Sequence, residues 1–568
     1  MKNLAVSLLT LFLFAPHLAL AQTPSTCARI AGLKVPASAI GLPTRGVVIT
    51  SAQPIAAAGA GNGGYGRPGA HGRYCRVSGE IAPIDPAAQN IKFDIALPDS
   101  WNSKAVMLGG GGFDGVVSNV EGNFLNSPDA APTPLARGYA VFGGDSGHQA
   151  SPGSGGPAIG REDGVFFGND EEYRNYIGDA LKKTHDAAMV VIQAYYGRSP
   201  AKAYFLGGSK GGGEALTVAG RWPRDWDGIV ALYPARNYTV SMLGTLAVSQ
   251  ALAAPGAYLD TAKRSVLYKA ALAMCDGLDG AKDGLISDVR GCNRIFDPST
   301  ATLNGAPVRC LGGADTGDTC LSDAQIAALK KASAPVKFDF DIADGQRSFP
   351  GWNILTADLG GSSSSPFEPF VAQLTIGSSP ATSPAGEGNS MAAKFSDNFM
   401  RFAVTRDPTF NQLTLNLTKP PANIAARLNE LSKLDQVDAD LTPYALRGGK
   451  LLIMHGTDDM LLSPRATELY VEHLHETLGV AKVDSFLRFY EVPGFGHSAS
   501  TVFAAAWDQL SALEGWVETG VDPAHNQVVS DTMGVPGRTR PLCLYPTWPK
   551  YKGAGDINSA ESFRCSKD

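Results

Sequence analysis

Tyr204-Phe205-Leu206-Gly207-Gly208-Ser209-Lys210-Gly211-Gly212 sets a G-x-S-x-G pentapeptide directly after a short apolar, strand-like run and directly before a helix-like one. In an α/β-hydrolase the nucleophilic serine sits on a sharp strand-to-helix turn, and small flanking residues let neighbouring backbones approach without a Cβ clash. Such pentapeptides also arise by accident in glycine-rich chains, so the context decides. Residues Ala203 to Leu206 read as the strand before the turn and Glu214 to Ala219 as the helix after it, which makes Ser209 the candidate nucleophile.

Outward from this turn the same grammar repeats. Ile91 to Leu97, Lys104 to Leu108, Tyr139 to Gly143 and Gly228 to Leu232 read as strands, with a long helix over Asp179 to Tyr196. It returns near the C-terminus with strands Lys450 to His455 and Ser485 to Val492 and helices Arg465 to Leu478 and Ser500 to Glu518. Alternation of this kind predicts a parallel sheet covered by helices. Between the two blocks the pattern breaks into helical pieces, Asp/Gly turns and a low-complexity stretch from Gly360 to Pro366. The reading is an α/β-hydrolase fold with a large lid domain inserted between the elbow region and the acid-bearing strand. Residues 22–235 and 446–568 form the catalytic domain, and residues 236–445 form the lid.

A serine is a poor nucleophile without a base and a group to orient that base, and in this fold they follow in the order Ser, acid, His. Leu451-Leu452-Ile453-Met454-His455-Gly456-Thr457-Asp458-Asp459 ends a strand in an Asp-bearing turn. Phe489-Tyr490-Glu491-Val492-Pro493-Gly494-Phe495-Gly496-His497 ends another in a glycine-rich loop. Of the histidines after the acid, His473 and His475 lie in a predicted helix and His525 in a late polar loop, so His497 is the candidate base. The residues alone leave Asp458 and Asp459 both open as the acid. An oxyanion hole needs two backbone N–H donors, one from the residue after the nucleophile and one from a loop behind an early strand. Lys210 supplies the first and the run Gly109-Gly110-Gly111-Gly112-Phe113 the second, through Gly110 or Gly111.

With 44% hydrophobic and 18% charged residues in 568, the composition is that of an ordinary globular protein. A net charge of -6 without a long Lys/Arg run excludes an electrostatic footprint for nucleic acid. Met1-Lys2-Asn3, an apolar run to Leu20 and Ala19-Leu20-Ala21 read as a signal peptide over residues 1–21, so the mature chain is expected to be secreted or periplasmic and not held by a membrane. Export permits disulfides. The eight cysteines are expected to pair with their neighbours, Cys27 with Cys75, Cys275 with Cys292, Cys310 with Cys320 and Cys543 with Cys565, although sequence alone leaves many pairings open.

These residues resemble the tannase and feruloyl esterase family of secreted α/β-hydrolases, which includes mono-hydroxyethyl terephthalate hydrolase. The resemblance runs from about Gly109 to Cys565 and rests on the glycine run, Asp145-Ser146-Gly147-His148, Tyr196-Gly197-Arg198, the elbow with Arg221-Trp222-Pro223 behind it, and Val492-Pro493-Gly494. Its most specific part is the tail: Arg540-Pro541-Leu542-Cys543, Tyr551-Lys552-Gly553 and Phe563-Arg564-Cys565. The resemblance implies Asp459 as the acid, from the fourth position of a strand-end Gly-x-x-Asp. It also implies structural calcium in the lid, held by carboxylates of Asp276, Asp279 and Asp283 and main-chain carbonyls of Ala281 and Leu285. Alternating carboxylates and carbonyls suit calcium, although by spacing alone an Asp/Gly-rich surface turn fits equally well.

The chain departs from the family at Gly208 and Ser498, where most members carry a disulfide tying the two catalytic loops. The substrates implied are small aromatic esters: feruloyl groups on plant polysaccharide, galloyl groups in polyphenols, or terephthalate monoesters. Trp352, Phe367, Phe399 and Phe402, with Arg401, are candidate lid contacts for the ring. The rival readings are a secreted serine peptidase of the same fold and a catalytically silent carbohydrate-binding descendant.

Overall fold

The computed structural model describes residues 24–62, 69–150, 163–361, 365–436 and 440–567. The predicted signal peptide, and residues 362–364 of the low-complexity stretch, lie outside the described residues.

Ten strands form one sheet: β1 (Lys34–Val35), β2 (Gly46–Ile55), β3 (Tyr74–Ala82), β4 (Ile91–Pro98), β5 (Lys104–Leu108), β6 (Ala140–Gly144), β7 (Lys202–Gly208), β8 (Gly228–Leu232), β9 (Lys450–Gly456) and β10 (Leu487–Val492). Their spatial order is β1-β2-β3-β4-β6-β5-β7-β8-β9-β10. From β6 to β10 every neighbouring pair is parallel, and from β1 to β6 every pair is antiparallel. The sheet is therefore mixed, an α/β-hydrolase sheet whose parallel half is the one legible as alternating segments.

The parallel strands are continuous apolar runs because both their faces are covered. On one face Phe205, Ile229, Ile453 and Phe489 pack beneath helices α1 (Ala180–Tyr196) and α2 (Lys210–Arg221). On the other, Tyr204, Leu206, Leu232 and Met454 meet Trp507, Leu513 and Trp516 from the C-terminal segment. Residues of the 236–445 segment build a third core around Leu243, Leu246, Phe349, Trp352, Phe399 and Met400. That core takes in Phe113, Phe167 and Tyr176 from before the elbow and Met460 and Leu461 from after the acid, so burial of apolar surface seats the lid on both sides of the site. Leu441 and Tyr444 pack with the sheet face, and the Tyr444 hydroxyl donates to the Lys450 carbonyl at 2.8 Å, so the hydrolase core resumes just before residue 446.

One expected element is corrected. The helix anticipated from Ser500 to Glu518 forms only over Gln509–Glu514 and runs on into a π turn, Gly515–Thr519. Ahead of it, Ser500 Oγ accepts the N–H groups of Val502 and Phe503, Ala505–Ala506 forms a short strand, and the Asp508 side chain caps the helix by accepting from Ser511 N at 3.1 Å. Side-chain acceptors at positions 500 and 508 offer the backbone local partners that compete with a longer helix.

The cysteines pair as expected: Cys27–Cys75, Cys275–Cys292, Cys310–Cys320 and Cys543–Cys565. Among the described residues no helix is long and apolar enough to cross a membrane.

Candidate active site

Ser209 stands between β7 and α2 at φ 62° and ψ -122°, a conformation unfavourable for any residue with a Cβ. Glycine is required beside it: a Cβ at Gly207 would stand 1.8 Å from the Gly211 carbonyl oxygen, and one at Gly211 would stand 2.6 Å from that of Gly110. The turn thrusts the serine hydroxyl above the strand ends, where the loops after β9 and β10 arrive with their own side chains.

His497 Nε2 lies 2.8 Å from Ser209 Oγ, and His497 Nδ1 lies 2.8 Å from Asp459 Oδ2. A carboxylate only accepts, so Nδ1 carries the proton and donates to Asp459, which leaves Nε2 as acceptor for the serine hydroxyl. The other oxygen of Asp459 accepts the N–H groups of Leu461 at 2.9 Å and Leu462 at 2.8 Å. His455 Nε2 lies 3.3 Å from Asp459 Oδ2. Burial opposes ionisation of Asp459, but His497 and His455 outweigh it and hold the carboxyl well below its ordinary range.

Asp458 is oriented away from the histidine. Its Oδ2 accepts the Asp358 N–H of the lid at 3.1 Å, and burial together with the Asp358 charge pushes its carboxyl up to about 7. Of the two candidate acids, only Asp459 is in contact with His497.

The two expected oxyanion donors behave differently. Lys210 is the first residue of α2, where helical N–H groups have no partner within the helix. Gly110, in contrast, donates its N–H to Glu214 Oε2 at 3.0 Å. That bond takes Gly110 out of the expected donor pair and leaves Gly111, since one N–H cannot serve a buried carboxylate and an oxyanion together. Sequence reasoning missed Glu214, although its spacing four residues after Lys210 on one helix was the available signal. Glu214 Oε1 also accepts from Lys210 Nζ at 2.7 Å, and that ammonium lies 3.7 Å from Asp114 and 4.3 Å over the Tyr176 ring.

Beside Ser209 lies a narrow, mostly apolar cavity of about 20 Å³ lined by Gly112, Lys210, Tyr238, Met242, Phe395 and Leu461. The aromatic residues expected to hold a substrate ring are placed elsewhere. Trp352 packs on Phe349 at 4.6 Å and Phe399 meets Tyr238 edge-on at 5.6 Å, both inside the lid core. Phe402 is also buried, Phe367 is exposed, and Arg401 is fully buried and bonded to Asp397 at 2.8 Å. Tyr238 and Phe395 line the cavity instead; a helix-embedded aromatic gives no sequence signal of facing a site rather than a core.

The Asp-rich lid loop is partly suited to a cation. Asp279 Oδ2 is buried with no hydrogen-bond partner, and Asp279 is pushed up to about 6 by burial, with the charges of Asp283 and Asp276 adding to the shift. Asp276 Oδ1 accepts three backbone N–H groups, from Asp283, Gly284 and Leu285. Asp283 is paired with Arg540, so its carboxylate is already neutralised by the C-terminal tail. Among the described residues the only close cluster of metal-type side chains is His185, Asp186 and Asp225, and there the Lys182 ammonium bonds both acids, at 2.8 and 2.9 Å.

Comparison with known proteins places this geometry in a wider group. The sequence model described as "Tannase and feruloyl esterase" matches residues 75–566, beginning well ahead of the glycine run. An uncharacterized esterase of Agrobacterium fabrum is 35% identical over 555 residues, covering 95% of this chain and 93% of its own length. A mono(2-hydroxyethyl) terephthalate hydrolase of Piscinibacter sakaiensis is 31% identical over 527 residues, covering 87% of this chain and 85% of its own. Among solved structures, feruloyl esterase B from Aspergillus oryzae superposes with a TM-score of 0.72 at 20% identity, covering 96% of this chain and 100% of that one, a likeness of fold.

Proposed function

This chain belongs to the tannase and feruloyl esterase family of carboxylic ester hydrolases, and from that membership we propose that it is a secreted serine esterase acting on small aromatic, phenolic esters. The observation that carries the reading is the unbroken pair of 2.8 Å contacts from Ser209 through His497 to Asp459, beside an apolar cavity.

In this mechanism His497 Nε2 takes the proton of Ser209 as Oγ attacks the ester carbonyl, and Asp459 stabilises the imidazolium and fixes its orientation. The N–H groups of Lys210 and Gly111 carry the developing oxyanion. The proton then passes from His497 to the leaving alcohol, which departs as the acyl-serine ester forms. Water activated by the same histidine releases the acid and restores Ser209.

The cavity supports an uncharged acyl group. The Lys210 ammonium at its edge is bonded to Glu214, and the buried lid cation Arg401 is paired with Asp397, so neither offers a counter-charge to a substrate carboxylate. Feruloyl and galloyl esters therefore rank ahead of terephthalate monoesters. The test is release of acid from methyl ferulate, methyl gallate and a terephthalate monoester by the mature chain beside its Ser209→Ala variant. Hydrolysis of a phenolic ester that vanishes in the variant is expected. Silence across all three substrates, or turnover that survives the substitution, would sink the reading.

The reading extends to calcium in the 276–285 loop. The orphaned Asp279 oxygen and the main-chain oxygens of Ala281 and Leu285 are hard donors of the kind calcium takes, and its contribution there is structural. Calcium at about 100 times its dissociation constant is expected to add about 2.7 kcal/mol of stability. A melting temperature unmoved by chelator and by added calcium would refute the site. The secretion reading rests on the leader-like sequence of residues 1–21 together with four disulfides.

A further inference from the structure

Four non-glycine residues with positive φ converge on the serine and the histidine: Ser209 at 62°, Asn126 at 56°, Tyr233 at 33° and Ser498 at 60°. L-residues persist in such conformations only where their surroundings over-determine them, and clusters of them mark functional sites. Asn126 provides those surroundings for two of its neighbours. Its Nδ2 donates to the main-chain oxygens of Ser498 at 3.2 Å and Ala505 at 3.0 Å, and its Oδ1 accepts from the Tyr233 hydroxyl at 2.7 Å.

The orientation of this amide is fixed. Turned over, it would set Oδ1 against two carbonyl oxygens that have no hydrogen to give. The backbone of Asn126 is anchored as well, since its carbonyl accepts the Trp507 N–H at 2.8 Å.

Each of these contacts bears on the imidazole. The Ser498 carbonyl belongs to the residue that follows His497 in the chain, and the Tyr233 ring stands edge-on to the His497 ring with centroids 4.8 Å apart. Tyr233 directly follows β8, the neighbour of the elbow strand. A Cβ on Gly208 would stand 2.7 Å from Leu125 Cδ1 and 3.2 Å from the Tyr233 hydroxyl. The Leu125-Asn126 turn is thus wedged between the residue before the nucleophile and the residue after the base.

We propose that Asn126 is a positioning residue of this site: through the Ser498 carbonyl and Tyr233 it holds the His497 ring in hydrogen-bonding register with Ser209. The inference rests on the serine-esterase reading. Asn126 touches neither substrate nor reacting atoms and acts only through His497. Its effect belongs on the chemical step, because a base displaced by about 1 Å can lower the rate on the order of 100-fold without altering how substrate is held.

The test uses a fluorophosphonate, which captures an activated serine whatever acyl group the enzyme prefers. The wild-type chain is expected to label at Ser209. Asn126→Ala is expected to label about 10- to 100-fold more slowly, with kcat falling in proportion and KM within about twofold. Tyr233→Phe removes only the hydroxyl that orients the amide and is expected to slow labelling about three- to tenfold, so it decides the matter if Asn126→Ala does not fold. Wild-type labelling rates in the folded variants overturn the proposal, as does a loss confined to KM. A folded wild-type chain that does not label at Ser209 overturns the serine-esterase reading and this inference with it, an outcome distinct from the other two.

Discussion

Ser209→Ala is expected to lower kcat by about six orders of magnitude toward the best ester while leaving substrate binding nearly intact. The alanine removes the hydroxyl bonded to His497 Nε2, and among the described residues no other hydroxyl is bonded to that nitrogen. The residue left behind is still at φ 62°, so the strain of the elbow remains and stability should change little. Ser209→Gly separates the two properties. Glycine adopts that conformation without penalty, and relieving a strain of about 1–3 kcal/mol should raise the melting temperature while activity stays as low as in the alanine variant. Activity and melting temperature measured together on the two variants check this. An alanine variant keeping more than about one part in a thousand of kcat would dismiss Ser209 as nucleophile, and a glycine variant less stable than wild type would show that the turn stores no strain.

The parallel half of the fold was legible because strands buried on both faces read as uninterrupted apolar runs; Gly228–Leu232 and Lys104–Leu108 have the anticipated bounds. Of the antiparallel half, Ile91–Pro98 and Ala140–Gly144 were read as strands but not as an antiparallel pair, and the outer strands were not anticipated. Gly46–Ile55 and Tyr74–Ala82 are half-buried strands carrying polar residues, and only their period-2 alternation distinguishes them from loop. The Ser209 and His497 positions were legible from chain order and strand-end placement, which left Asp458 and Asp459 both open; only the family resemblance pointed to Asp459. Residues acting through backbone contacts were not legible: Glu214, Asn126 and Tyr233 matter because of which carbonyl or N–H group they meet across the fold. The same blindness put Trp352 and Phe399 forward as ring contacts. Apolar side chains carry no mark of whether they face a cavity or a core, and the lid core claims both.

Asp458 and Asp459 are adjacent, buried carboxylates whose pKa values are shifted in opposite directions, and exchanging each for its amide should give opposite results. In Asp459→Asn the oxygen side is dictated by the Leu461 and Leu462 N–H groups, which accept no hydrogen bond, so the amide nitrogen turns toward His497. There it confronts the Nδ1–H donor, favours the wrong tautomer, and removes the lone pair that must take the serine proton. A fall in kcat of about 10⁴ is expected.

Asp458→Asn should leave kcat within about threefold, since its nearest charged neighbour is Asp358 rather than His497. Its effect is on stability. The folded carboxyl is raised from 3.8 to about 7 by burial and then by Asp358, so its neutral form is the one the fold favours. That contribution is complete below the unfolded value and is lost as pH rises through about 7, where the wild-type chain must bury a charge. The amide cannot ionise, so the drop in melting temperature between about pH 5.5 and pH 8.5 should be smaller in Asp458→Asn than in wild type. Calorimetry at the two pH values, read beside kcat for both variants, tests the pair. A collapse of kcat in Asp458→Asn with Asp459→Asn still active would exchange the two roles and contradict the 2.8 Å contact between Asp459 and His497.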